Sequence, residues 1–435
     1  MRTLKKNSFL TILLAVLPVS LVLSQSSPFA GYGIGEINND AFGRNNAMGG
    51  TGIAIRTNLY LNNQNPASYS AIDTLSFFFE AGMKGKFQTL KGNNGETKHS
   101  KIDVDYFAFG FPITKYLVTS IGMRPATNTE YTFFGINQAT VSGSDAQQTF
   151  DIRYVGEGTI SNLYGGLGVK VTNNLSVGAH IHYLFGDIKN YYVQSFTTGD
   201  FLYGAKTERR INDMMLDFGA QYSFFVNNLK NNRMTIGAVF NPKINVSGKS
   251  THIFGQGSNF IEDGFLDIVD SMKISSTDKF TQMPMGVGVG ISYTIRNRLV
   301  LAADFSTKFW SKTDLTATEM FDSQNITIAD ATCYSFGLEW TPNQQTGIRY
   351  YERIRYRLGF RYGNDYIKIG DKQVTDRGIT AGFGFPLRRT STSLNFSIDY
   401  GTKGISDKNL TEEQYMKFTL GFTLHEYWFF KSKIR

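Results

Sequence analysis

The sequence has one cysteine, Cys333, in 435 residues. A single thiol cannot close an intramolecular disulfide and has no C-x-x-C partner for metal or redox work, so Cys333 reads as a small residue in a strand. No uninterrupted apolar run reaches the roughly 18 residues that a helical membrane span needs. Charged positions are sparse at 18%, yet 14% of the chain is aromatic, a composition that excludes intrinsic disorder. Prolines number only nine, and no Pro/Ser-rich linker divides the chain, so one large unit is expected. The formal charge of +8 falls to +5 once Arg2, Lys5 and Lys6 are set aside. What is left is dispersed, and nucleic acid is not an expected partner.

Residues 1–25 have a separate character. Arg2, Lys5 and Lys6 precede an apolar stretch from Phe9 to Leu23, interrupted by Pro18, and the small and polar pair Ser24, Gln25 follows. This is the pattern of a secretory leader, with the mature chain starting near Ser26.

From residue 73 onward the apolar residues recur with period two, the signature of strands with one apolar and one polar face. Leu394, Phe396, Ile398 and Tyr400 alternate with Asn395, Ser397 and Asp399. Val287, Val289, Ile291 and Tyr293 alternate with Gly286, Gly288, Gly290 and Ser292. Counting such segments gives about fourteen strands between residues 75 and 430, the third over 117–136, the eighth over 279–295 and the eleventh over 352–364. Tight turns are expected at Thr114–Lys115, Thr172–Asn174, Arg296–Asn297 and Leu387–Thr390, and long polar loops near 187–206, 250–278 and 313–330. Alternating short and long connections point to an all-β transmembrane antiparallel barrel in the outer membrane of a Gram-negative bacterium, with both termini periplasmic. Lipid offers the backbone no hydrogen bonds, so the sheet must close on itself. A soluble sandwich could share the alternation, but Trp340, Tyr427, Trp428, Phe429 and Phe430 fall where an interfacial aromatic girdle is needed.

Residues 26–72 do not alternate and are rich in Gly and Asn. A fourteen-stranded barrel has a lumen too wide for its own side chains to fill, so this segment is expected inside it as a plug, with 73–435 forming the barrel. The phrase Gly31-Tyr-Gly-Ile-Gly35 lacks the strand before and helix after that a dinucleotide loop requires.

Several lumen positions carry possible chemistry. Arg353, Arg355, Arg357 and Arg361 share a parity opposite to Ile354, Tyr356, Leu358 and Phe360, so all four should face inward. Such a ladder could hold a ligand carboxylate or the carbonyls of the plug. Glu80, Asp304, Glu339 and Asp399 have the same inward parity, so salt bridges that brace the plug are the alternative. His180 and His182 share one strand face, but no third ligand can be assigned to them, and lumen lining rather than a metal site is expected. Asp103 and Asp105 read as a charged lumen or loop-end feature. No GxSxG phrase or Ser/His/Asp spacing supports catalysis, and neither an enzyme nor a cofactor is expected.

The stretch Ala41-Phe-Gly-Arg-Asn-Asn-Ala-Met-Gly-Gly-Thr51, followed by Asn65-Pro66-Ala67 just before the first strand, resembles the FadL-type outer-membrane transporters of long-chain fatty acids and other hydrophobic compounds. The resemblance covers the architecture of the mature chain but only about residues 40–85 in recognisable wording. Bacteroidetes-type members are most similar, including the C-terminal Trp428-Phe-Phe followed by basic residues, a tail that departs from the common ending on the aromatic itself. The resemblance implies that Asn65, Pro66 and Ala67 form the hatch signature. It also implies passive uptake, in which a small hydrophobic ligand reaches an internal pocket and leaves sideways into lipid where the third strand is kinked. Pro125, which removes a ladder donor in mid-strand, is the candidate for that kink, although a proline that merely shapes a bulge is the other reading. A PorV-like barrel of the same family, serving as a scaffold for protein secretion or surface attachment and binding a protein partner, is the alternative. A monomer is expected.

Overall fold

The computed structural model describes residues 27–38, 41–92, 95–140, 147–196, 202–227, 231–261, 264–276, 279–315, 326–343, 349–387, 391–405 and 412–428. The leader, the expected start at Ser26, most of the turn at 387–390, and Phe429 and Phe430 lie outside them.

Twenty strands among the described residues form one antiparallel sheet. The first, β1 (Glu36–Ile37), belongs to the N-terminal segment, and the others build a closed barrel of fourteen staves. Some staves are single strands: β2 (Ser76–Gly92) and β3 (Gly95–Pro112). The third is broken into β4 (Leu117–Asn128) and β5 (Tyr131–Thr140). Then follow β6 (Gln147–Lys170), β7 (Leu175–Phe196) and β8 (Leu202–Asn227). The seventh stave joins β9 (Asn232–Asn241) to β10 (Ile244–Ile261), with Pro242 at the break. The eighth joins β11 (Gly264–Ser276), β12 (Lys279–Met283) and β13 (Gly286–Ile295), with Pro284 at its second break. The remaining staves are β14 (Leu299–Lys308), β15 (Ile326–Ile328) with β16 (Ala331–Trp340), β17 (Arg355–Ile369), β18 (Lys372–Pro386), β19 (Ser393–Gly404) and β20 (Glu412–Tyr427). Pairing of β2 with β20, from Ser76↔Tyr427 to Lys91↔Glu412, closes the cylinder.

The period-two pattern fixes which face is which. Ile379 is 64% exposed and its neighbour Thr380 1%. The apolar residues face outward and the small or polar ones inward, as lipid outside and a packed interior inside require. Trp340, Trp428, Tyr427, Tyr116 and Tyr222 are exposed at the end with the tight turns, and Trp428 stacks on Phe77. Arg296 and Asn297 both adopt positive φ at the centre of the tight turn from β13 to β14, and the Arg298 amide donates to the Ile295 carbonyl across it.

Two expectations need correction. The regions 187–206 and 250–278 are largely wall rather than loop: β7 runs to Phe196, β8 begins at Leu202, and β10 pairs with β11 from Ser250↔Ser276 to Ile261↔Gly264. Strands that rise above the lipid have water on their outer face, so they lose the oily alternation that marks the buried part of the wall. Of the third expected loop, 316–325 lies outside the described residues, and Ile326–Ile328 is strand.

Candidate functional site

The N-terminal segment contacts inward-facing wall residues on many staves. Phe42 stacks flat on Tyr106 of β3, with ring centroids 4.0 Å apart, and the Tyr106 hydroxyl accepts a hydrogen bond from the Gly43 amide. Arg44 forms a two-pronged pair with Glu339 of β16, both contacts 2.9 Å. Gly49 and Gly50 turn the chain with φ of 70° and 84°, a conformation that favours glycine, and the Gly49 amide donates to Thr380 of β18. The amides of Gly52 and Ile53 both donate to Asp304 of β14, and that of Leu61 to Glu80 of β2. Wall glycines make this approach possible: a side chain on Gly359 would run into the backbone of Met48 and Gly49, and one on Gly237 into that of Ile53.

Asn65, Pro66 and Ala67 occupy a defined niche. Asn65 caps the 3-10 turn Pro66–Ala71 by accepting from the Ala67 amide, and Pro66 supplies the fixed φ suited to its first position. The same side chain donates to the carbonyl oxygens of Ile53, Ala220 and Ala238, so it ties the turn to the segment and to two wall strands. The turn packs where Gly168, Gly178 and Gly219 leave room.

The arginine ladder divides. Arg357, 1% exposed, donates from Nε to Glu339 at 2.7 Å, from Nη1 to Asn395 at 2.8 Å and from Nη2 to the Tyr60 hydroxyl at 3.1 Å. Arg355 donates to the same hydroxyl at 2.6 Å, and both guanidinium groups lie over the Tyr60 ring. Arg361 donates to Asp399 and Tyr415 and faces the internal cavity. Arg353 departs from expectation: it ends the short helix Tyr350–Arg353 ahead of β17 and is not part of the inward row. Inward parity holds only from Arg355, where β17 begins.

The wall changes partners beside Pro125. β3 and β4 pair only from Phe107↔Met123 to Pro112↔Val118. β4 continues along β6 with a bulge between Pro125 and Thr127, and its other edge takes β1 instead, with Glu36↔Asn128 and Ile37↔Thr127. The Asn38 amide donates to the Ala126 carbonyl at 2.9 Å. Proline has no N–H to give a neighbouring strand, which suits a position where the ladder stops. Among the described residues the outer half of β3, from Gly95 to Tyr106, has only β2 as a backbone partner. Lys101 reaches Glu130 at 2.7 Å, from β3 to the break between β4 and β5.

Behind this break the interior is charged. Lys86 pairs with Glu36 at 3.1 Å and Glu413 at 2.8 Å, Lys84 with Asp105 at 3.0 Å, and Lys403 with Asp365 at 2.7 Å. Burial works against the charge of Glu36, but Lys86, Lys403 and Lys417 outweigh it and hold the carboxyl well below its ordinary range. A cavity of about 340 Å³ lies between the segment and the wall, lined by groups of both signs including Asp217, Asp304, Lys308 and Arg361. On the side of the barrel away from the tight turns the lumen is instead apolar and solidly packed: Phe29 and Ile34 join Ile160, Trp310, Tyr366 and Ile405 in one core cluster.

The profile of the family described as BamG matches residues 4–435. The chain belongs to the BamG family. BamG membership sits on a FadL-type fold, as the solved structures similar to this chain show. The Pseudomonas putida toluene transporter TodX superposes with a TM-score of 0.56 at 14% identity, over 91% of this chain and 100% of its own. The Ralstonia pickettii toluene transporter TbuX gives 0.54 at 14%, over 89% and 99%. A Pseudomonas aeruginosa FadL homologue gives 0.53 at 14%, over 91% and 99%. At such identities the likeness speaks for the fold alone. No curated protein matches this chain in sequence.

No motif or spacing in the sequence marks Asp217 or Tyr60. Asp217 sits between outward Leu216 and Phe218, so its inward parity was readable, but nothing local shows that it meets His180 and His182.

Proposed function

We propose that this barrel admits small hydrophobic compounds, long-chain fatty acids among them, across the outer membrane of a Gram-negative bacterium, and releases them sideways through the wall beside Pro125. The observation that carries this reading is the ladder between β3 and β4, which ends at Phe107↔Met123 although both strands continue. An apolar solute gains nothing from an aqueous pore, and a gap in the wall delivers it straight into hydrocarbon. The fold shared with toluene transporters supports the same reading. In it, residues 26–72 are the plug, Asn65, Pro66 and Ala67 seat the hatch, and Arg361 is the ladder member placed to meet a ligand carboxylate. The barrel works as a monomer with both termini in the periplasm and performs no catalysis. Because the side of the gap facing the lumen is charged, the plug strand β1 must leave β4 before an apolar solute can pass.

A second reading, a PorV-like scaffold for protein secretion or surface attachment, is favoured by the same charged cavity and by the solid packing of the apolar cluster around Phe29 and Ile34. Liposome uptake of hydrophobic and hydrophilic probes separates the two, comparing the native protein with Pro125→Ala and with a form lacking residues 26–72. Transport predicts hydrophobic uptake by the native barrel that falls in Pro125→Ala, and leakage of hydrophilic probes without the plug. Absence of native uptake while a protein co-purifies decides for the scaffold. Unchanged uptake in Pro125→Ala removes the sideways exit.

A further inference from the structure

We propose that His180, His182 and Asp217 form a binding site for a divalent transition-metal ion of the zinc type, open to the internal cavity. One donor atom from each lies within 4.8 Å of the other two. The histidines stand at i and i+2 on β7 and share its inward face, and Asp217 on β8 is the registered partner of His180. Both imidazoles are buried, 2% and 4% exposed.

The neighbours orient them as ligands need to be oriented. The Tyr69 hydroxyl sits 2.9 Å from Nε2 of His180, and the Asn162 side chain 3.1 Å from Nδ1 of His182. Each ring therefore has one nitrogen held by an outer partner, the arrangement that fixes tautomer and ring angle at metal sites. Nε2 of His182 lies 2.6 Å from Oδ2 of Asp217, while Oδ1 is buried without a hydrogen bond. Zinc would hold such donors at roughly 2.0–2.2 Å, so the Nε2–Oδ2 contact opens as an ion enters between the two side chains. Two imidazoles and one carboxylate suit zinc and its neighbours better than magnesium or calcium, which take oxygen ligands. All three residues line the cavity, so a fourth coordination position faces open space.

Arg124 and Lys308 line the same cavity and compete with a dication for Asp217. Neutralising Lys308 should therefore tighten binding. Because Tyr69 belongs to the N-terminal segment and the ligands to the wall, an occupied site also braces the segment against β7 and β8 through His180.

Calorimetric titration of the purified, folded barrel with zinc chloride tests this, with folding verified by heat-modifiable electrophoretic mobility. The expected result is one ion per barrel, binding weakened about tenfold or more in His182→Ala and in the near-isosteric Asp217→Asn, and tightened in Lys308→Met. His252→Ala, at a histidine outside the cluster, should bind like the native protein. Absence of saturable binding by the native barrel, or undiminished binding in a folded His180→Ala/His182→Ala form, overturns the site. So does a Lys308→Met form that binds no more tightly than the native one.

Discussion

Removing the Glu339 carboxylate, as in Glu339→Ala, leaves Arg44 and Arg357 buried without the partner they share. Breaking a buried pair from one side costs on the order of 3–5 kcal/mol, because an uncompensated charge stays behind. The expected outcome is a large drop in the denaturant midpoint, with a smaller drop in Glu339→Gln, which keeps acceptor oxygen in place. Glu36 makes a prediction in pH. Its carboxyl is held below the ordinary range in the folded state, so its contribution to docking β1 is fully present above that range and is lost as pH falls through the lower, folded value. Hydrogen exchange at residues 36–38, corrected for the intrinsic pH dependence of amide exchange, should stay slow from neutral pH down to the ordinary carboxylate range and quicken only in stronger acid. In Glu36→Gln it should be fast already at neutral pH. The inward parity of Glu80, Asp304, Glu339, Asp399 and three of the four arginines was legible in the sequence. The partners of Glu339, Arg355 and Arg357 in the N-terminal segment were not, because Arg44 and Tyr60 lie hundreds of residues away where the chain has no period.

Among elements, wall glycines and the N-terminal segment fit closely. Gly359→Ala places a methyl group against the backbone of Met48 and Gly49, where no flexible side chain can yield. The barrel should still fold, since its ladder is untouched, while limited proteolysis should cut the displaced segment at residues 41–60 much faster than in the native protein. A native-like digestion pattern would show that the segment has another way to seat. The strand pattern itself was readable wherever lipid imposes it, and less so above the membrane, where β10 and β11 pair in water and resemble loop. Arg353 shows the converse error, a parity extended beyond the true start of β17.

For the whole molecule, the pairing of β1 with β4 is the point at which the N-terminal segment and the wall become one sheet. Cysteines at the registered positions Ile37 and Thr127, in a Cys333→Ser background, should form a disulfide that locks this contact. If cargo leaves beside Pro125, the oxidised form should lose hydrophobic uptake and regain it on reduction. Equal uptake in both redox states would show that β1 need not move.

The sequence by itself determined the closed barrel, its count of fourteen staves and the sidedness of each, because a bilayer forces the same oily alternation on every strand that crosses it. Only the tertiary structure decided what fills the cylinder. Which carboxylate meets which arginine, which strand β4 takes after it leaves β3, and that Asp217 meets two histidines are products of register and closure. Those depend on residues far apart in the chain, and no local period records them.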